Sequence, residues 1–148
     1  MFFGEFTHKV NAKNQVNVPV KLREQIDEEK DGKTLFLMKR PGLCIYAYTL
    51  RELAKVIEKL AQDTNAKEAS FRRRLAASIT PAELDNQGRI LLPAELQEAV
   101  GISTEVVFVG NVSRIELWPP EKWREFETAS EPEFKEKLDK FADDLLEF

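Results

Sequence analysis

A chain of 148 residues, 43% hydrophobic and 32% charged, suits one compact domain or two small, closely packed ones. That balance excludes a disordered chain, and no apolar run approaches the roughly 20 residues a membrane helix needs. A net charge of −4 argues against an indiscriminate nucleic-acid binder but leaves room for a local basic surface.

The opening, "MFFGEFTHKV", meets Glu5 too soon for a signal-peptide core and lacks a basic front, so a cytoplasmic location is expected. His8 stands alone in a strand-like segment and reads as structural, because no partner ligands accompany it. The next segment, "NAKNQVNVP" at 11–19, returns 74 residues later as "DNQGRILLP" at 85–93. Aligned at that offset, Asn11 falls on Asp85, Lys13 on Gln87, Asn14 on Gly88 and Gln15 on Arg89. The apolar pairs Val16/Val18 and Ile90/Leu92 alternate, as in strands buried on one face.

Each proline then leads into a short amphipathic helix, "VKLREQI" or "AELQEAV". Two apolar strands follow in each half, "TLFLM" and "LCIYAY" in the first, "EVVFV" and "RIELW" in the second. Cys44, the only cysteine, lies within one of them and reads as a buried thiol; no intrachain disulfide or Cys-based zinc cage is possible. Each half closes on a helix start, "TLRELAKVIEKL" or "PPEKWREF". The chain is therefore an internal duplication: strand, turn, strand, short helix, strand, strand, helix. Halves of this size cannot easily cover both sheet faces alone, so a pseudo-symmetric α+β body with a shared core is expected.

Three capping signals mark further helices. Thr49 with Glu52 precedes the apolar stripe Leu53, Val56, Ile57 and Leu60, and Asn65 with Glu68 precedes a segment ending in Arg72, Arg73 and Arg74. Ser130 with Glu133 is expected to open a last helix. There Phe134, Leu138, Phe141, Leu145 and Phe148 form a coiled-coil-like seam, expected to pack on the 50–62 helix of the same chain, with a partner-binding helix as the alternative. The expected segments are 1–50 for the first repeat, 51–77 for connecting helices, 78–125 for the second repeat and 126–148 for an acidic C-terminal helix.

The repeated turn carries the chemistry. Gly88 supplies the positive φ a tight hairpin demands, and Asp85 can accept from the Arg89 guanidinium and from backbone N–H groups. One reading is a structural clasp, with Asn11, Asp85 and Gly88 stabilising their turns. The other is a reading head that presents Asn86, Gln87 and Arg89 to a duplex. In the first copy both charges are replaced together, and the amides of Asn11 and Gln15 can still bridge the turn.

The stretches "MFFGEFTHKVNAKNQVNVPVKLRE", "LDNQGRILLPAELQEAVGI" and "EVVFVGNVSRIELWPPEKW" resemble the MraZ family over about residues 1–125. The resemblance implies a double swapped-hairpin, AbrB-like β-barrel with flanking helices. It further implies a bacterial transcriptional regulator, usually a repressor upstream of the division and cell-wall gene cluster. Such a protein works as a ring-shaped homo-oligomer on short DNA repeats, in the nucleoid. Carried over, Lys13, Asp85, Gly88 and Arg89 match motif positions of the family. Asn11, Asn14 and Gln15 replace the aspartate, glycine and arginine of the first motif, and Phe3 stands where a basic residue is common. The resemblance thus carries the fold but not the DNA sequence preference.

The leading expectation is a sequence-specific regulator of double-stranded DNA. Lys9 and Lys13 would meet phosphates, while Gln15, Asn86, Gln87 and Arg89 would meet the duplex from the turns. Arg72, Arg73 and Arg74 serve either phosphates or a helix C-terminus and a neighbouring subunit. The alternative is a ring-forming protein-interaction subunit that has lost DNA affinity. No glycine-rich phosphate loop, metal-ligand cluster or nucleophile–base set is present in the sequence. No enzyme activity, cofactor, small-molecule substrate or membrane partner is expected.

Overall fold

The computed structural model describes residues 1–62 and 65–146. Strands β1 (Glu5–Lys9) and β2 (Gln15–Asn17) lead to two single-turn helices, α1 (Val20–Arg23) and α2 (Glu28–Asp31). Strands β3 (Thr34–Arg40) and β4 (Cys44–Tyr48) follow, and then helices α3 (Leu50–Ala61) and α4 (Ala66–Ser78). The second half holds β5 (Thr80–Glu83), β6 (Arg89–Leu91), α5 (Ala94–Val100), β7 (Glu105–Asn111) and β8 (Arg114–Trp118). It ends in α6 (Pro120–Phe141) and a π-helical turn, Ala142–Leu146.

Six strands form one sheet in the order β1-β7-β8-β4-β3-β5, and β2 pairs with β6 in a separate two-stranded sheet. Both edge strands cross between the halves: β1 lies antiparallel to β7, and β5 antiparallel to β3. A single apolar cluster follows from that exchange. Val16, Val18, Leu22, Leu35, Leu37 and Ile45 pack with Ile90, Leu92, Leu96, Phe108, Ile115 and Leu117. Such burial stabilises by about 25 cal/mol per Å² of apolar surface, and neither half owns the cluster.

The expected barrel is not closed. β1 and β5 are the two edges of the large sheet, each paired along one side, and the β2–β6 ladder is a separate sheet rather than a seam between them.

The helix caps at Thr49 and Asn65 form as the sequence predicts, each side chain accepting from a backbone N–H three residues on. The last helix does not begin at Ser130. Pro119 and Pro120 start it, and Ser130 lies mid-helix with its hydroxyl donating to the Phe126 carbonyl at 2.7 Å. Pro132 is carried inside the same helix. Nor does the apolar seam pack on α3 of its own chain: Phe134, Leu138, Phe141 and Leu145 are exposed. Phe148 lies outside the described residues. His8 sits on β1 and meets the Phe108 ring edge-on at 5.8 Å. Cys44 is fully buried, and burial pushes its thiol up to about 12, which removes nucleophilic character.

Candidate nucleic-acid interface

The two turns have the same hydrogen-bond plan despite their different charges. In the second, Asp85 Oδ1 accepts from the N–H groups of Gln87 (2.8 Å) and Arg89 (2.9 Å), and Arg89 Nε donates to Oδ2 at 2.8 Å. In the first, Asn11 Oδ1 accepts from Lys13 N and Gln15 N, each at 2.9 Å, and Asn11 Nδ2 donates to Gln15 Oε1 at 3.1 Å. Only the side-chain rung has changed from an ion pair to an amide pair. The backbone N–H of Arg89 is the main cause that holds the Asp85 carboxyl below its usual range, with the guanidinium contributing after it.

Both turns use a left-handed residue at the same place. Gly88 has φ +76° and Asn14 has φ +61°; asparagine is among the few other residues that accept this region. The turns interlock across the halves: Val18 N donates to Gly88 O at 2.9 Å, and Leu92 N to Asn14 O at 2.7 Å.

Two further side chains complete this arrangement, and the sequence reading did not single them out. Arg23 Nε donates to Val18 O at 2.8 Å, with its guanidinium lying over Gly88. Gln97, at the equivalent position 74 residues on, donates from Nε2 to Leu92 O at 2.7 Å and to Asn14 Oδ1 at 3.0 Å. The offset that matches the turns also matches these two residues. Arg23 therefore brings a cation beside the second turn, where a groove of about 340 Å³ is lined by Arg23, Lys33, Asp85 and Asn86 among others.

The β2–β6 ladder joins the turns. Val16 and Ile90 face each other and point into the core, so Gln15, Asn17, Arg89 and Leu91 line the opposite face. Gln15 lies opposite Leu91 and Asn17 opposite Arg89; Asn17 and Leu91 are exposed. The sequence reading missed Asn17, because only the register reveals that it neighbours Arg89.

Of the expected contact residues, Lys13, Asn86 and Gln87 are exposed in the turns. Gln15 and Arg89 are half-buried at their ends, each tied to its turn by the bonds above. Lys9 is exposed at the end of β1, in register with Glu105, which offsets its charge. Arg72, Arg73 and Arg74 lie on α4, and Arg72 Nη1 donates to Leu60 O and ties α4 to α3. Among the described residues there is no group of three or more His, Cys, Asp or Glu side chains that could hold a metal ion. No described helix is long and apolar enough to cross a membrane.

This arrangement defines a mixed α+β protein with an antiparallel sheet and flanking helices. The family model described as "MraZ protein, putative antitoxin-like" matches residues 75–145. A "Transcriptional regulator MraZ" of Lactobacillus delbrueckii subsp. bulgaricus is 38% identical over 147 residues, covering 98% of this chain and 96% of the relative. Relatives with the same name in Clostridium botulinum and Thermoanaerobacter sp. are 39% and 34% identical. They cover 85% and 98% of this chain, and 87% and 99% of their own length. The chain belongs to the MraZ family.

Proposed function

We propose that this chain is a DNA-binding transcriptional regulator whose reading surface is the solvent face of the β2–β6 ladder with the turn at each end. The observation that carries this reading is the convergence of Gln15, Asn17 and Arg89 on that face, between Lys13 at one turn and Gln87 at the other. Amide and guanidinium groups suit base edges, and lysines suit phosphates. The names of the relatives support a role in transcription. The two halves, 1–50 and 78–125, are read as AbrB-like swapped hairpins about a pseudo-two-fold axis. Segment 51–77 connects them, and 126–148 is an acidic tail.

In this reading the protein is cytoplasmic and nucleoid-associated, and represses the division and cell-wall gene cluster. It acts as a ring of identical subunits on short DNA repeats. Each subunit contributes a weak contact, and the ring raises affinity through effective concentration. Because Arg89 is paired with Asp85, it adds little net charge and serves chiefly as a fork of donors. Gln15 in the first turn suits adenine, where an arginine would favour guanine.

The test is a binding-site selection on random duplexes, followed by affinity at several salt concentrations. A selected repeat whose binding weakens with salt supports the reading. Selection of no sequence, with a protein partner bound independently of salt, would replace it with a ring-forming interaction subunit.

A further inference from the structure

The helix α6 has two unlike stretches. Near its start it is seated on the sheet: Trp123 meets Trp118 edge-on at 5.3 Å and stacks on Phe126 at 5.4 Å, while Lys122 Nζ donates to Gly42 O at 2.6 Å. From Glu131 to Phe141 every residue is exposed. At 100° per residue, Phe134, Leu138 and Phe141 fall on the side of the helix that carries Trp123. The stripe that seats the helix thus continues where its own chain does not cover it. Phe134 is 59% exposed, Leu138 49% and Phe141 49%. The extension prolongs a helix already anchored at its start, and its apolar stripe is left open to water.

Helix α4 offers the complement. It has no buried residue, and Phe71 at its centre is 52% exposed. Lys67 and Arg74, four residues before and three after, share the side of the helix that carries Phe71. Residues 131–145 hold six acidic side chains against three basic, whereas α4 holds four basic against one acidic. One of those three basic groups, Lys137, is already paired with Glu133 at 2.9 Å. Two α6 tails would therefore repel each other, and a tail and an α4 would attract. Both faces are exposed in the same chain, so they do not cover each other within it.

We propose that the α6 extension of one copy docks through Phe134, Leu138 and Phe141 on the Phe71 face of α4 in a second copy. The donor and acceptor surfaces are different, so the contact is head-to-tail and repeats until it closes on itself. This inference rests on the ring reading above and supplies its interface. It also gives α4's basic side chains a protein partner rather than a phosphate.

The test uses the full chain without DNA, with mass read by light scattering after gel filtration. Wild type runs as an oligomer, and Leu138→Glu and Phe71→Glu each fall to lower mass with unchanged circular dichroism, since both side chains are exposed. Mixed one to one, the two variants form a heterodimer and nothing larger, because only one intact tail and one intact α4 remain to meet. Variants that keep the wild-type mass, or a mixture that does not associate, overturn the docking while leaving the ring reading in place. A monomeric wild type overturns both. None of these outcomes bears on DNA recognition, which the selection experiment tests separately.

Discussion

Val16 and Ile90 are partners across the β2–β6 ladder, and they are also the same position in the two copies of the repeated motif. Both are 1% exposed, so one residue from each half plugs the same point of the core. Cutting either to alanine leaves a cavity that both halves line. Ile90→Ala is expected to cost about 2–4 kcal/mol by chemical denaturation. A double-mutant cycle with Val16→Ala should show coupling of at least about 0.5 kcal/mol. Additive losses would mean that the two side chains do not support each other across the ladder.

Acid should separate the two turns. The carboxyl of Asp85 titrates below its ordinary range because the folded turn hydrogen-bonds its charged form, whereas Asn11 has no proton to gain. A carboxylate with a lowered folded pKa contributes its full stabilisation above the ordinary value of 3.8. That contribution is lost as pH falls through the lowered value. Amide resonances of Gln87 and Arg89 should therefore shift below pH 4, while those of Lys13 and Gln15 stay in place. Equal shifts in both turns would point to general unfolding instead.

Much of this was legible in the sequence. The repeated motif, its turn residues and the order of strands in each half follow from side-chain pattern and turn chemistry, which act locally; the single-turn helix α2 in the first half was not expected. Arg23 and Gln97 lay at the 74-residue offset, yet nothing local marks a side chain that reaches the carbonyl five residues earlier and covers the other half's turn. Asn17 required the ladder register. The open sheet was illegible because closure depends on whether the edge strands β1 and β5 meet, and neither sequence encodes that. Ser130 and Glu133 imitate a cap, but the preceding residues already formed helix from Pro120, and Ser130 turned its hydroxyl back to Phe126.

Gly88 is held by conformation and by space together. A Cβ there would require a left-handed backbone at φ +76° and would collide with the Arg23 guanidinium. Gly88→Ala is expected to destabilise the fold by about 1–3 kcal/mol, seen as a lower melting temperature. Adding Arg23→Ala should recover part of that loss, and no recovery would leave the backbone as the sole cause.

Restoring charge to the first turn should alter specificity more than stability. The double substitution Asn11→Asp with Gln15→Arg keeps the plan already seen at Asp85 and Arg89 and adds no net charge. The melting temperature should change little, as for most exposed ion pairs. The salt dependence of DNA binding should also be preserved, while site selection moves from adenine towards guanine at one position. An unchanged selected sequence would place Gln15 away from the bases.

Recognition of DNA by the ladder face and its turns is read by fluorescence anisotropy on duplex from immediately upstream of the protein's own gene, with scrambled duplex as control. Wild type, Lys13→Ala, Asn17→Ala and Arg89→Ala would be compared at two salt concentrations. Wild type is expected to bind the upstream duplex specifically and in a salt-sensitive manner. Lys13→Ala should weaken both duplexes alike, and Asn17→Ala and Arg89→Ala should weaken the upstream duplex selectively. Wild-type affinity in all three variants, or no preference for upstream over scrambled DNA, would contradict recognition by this face.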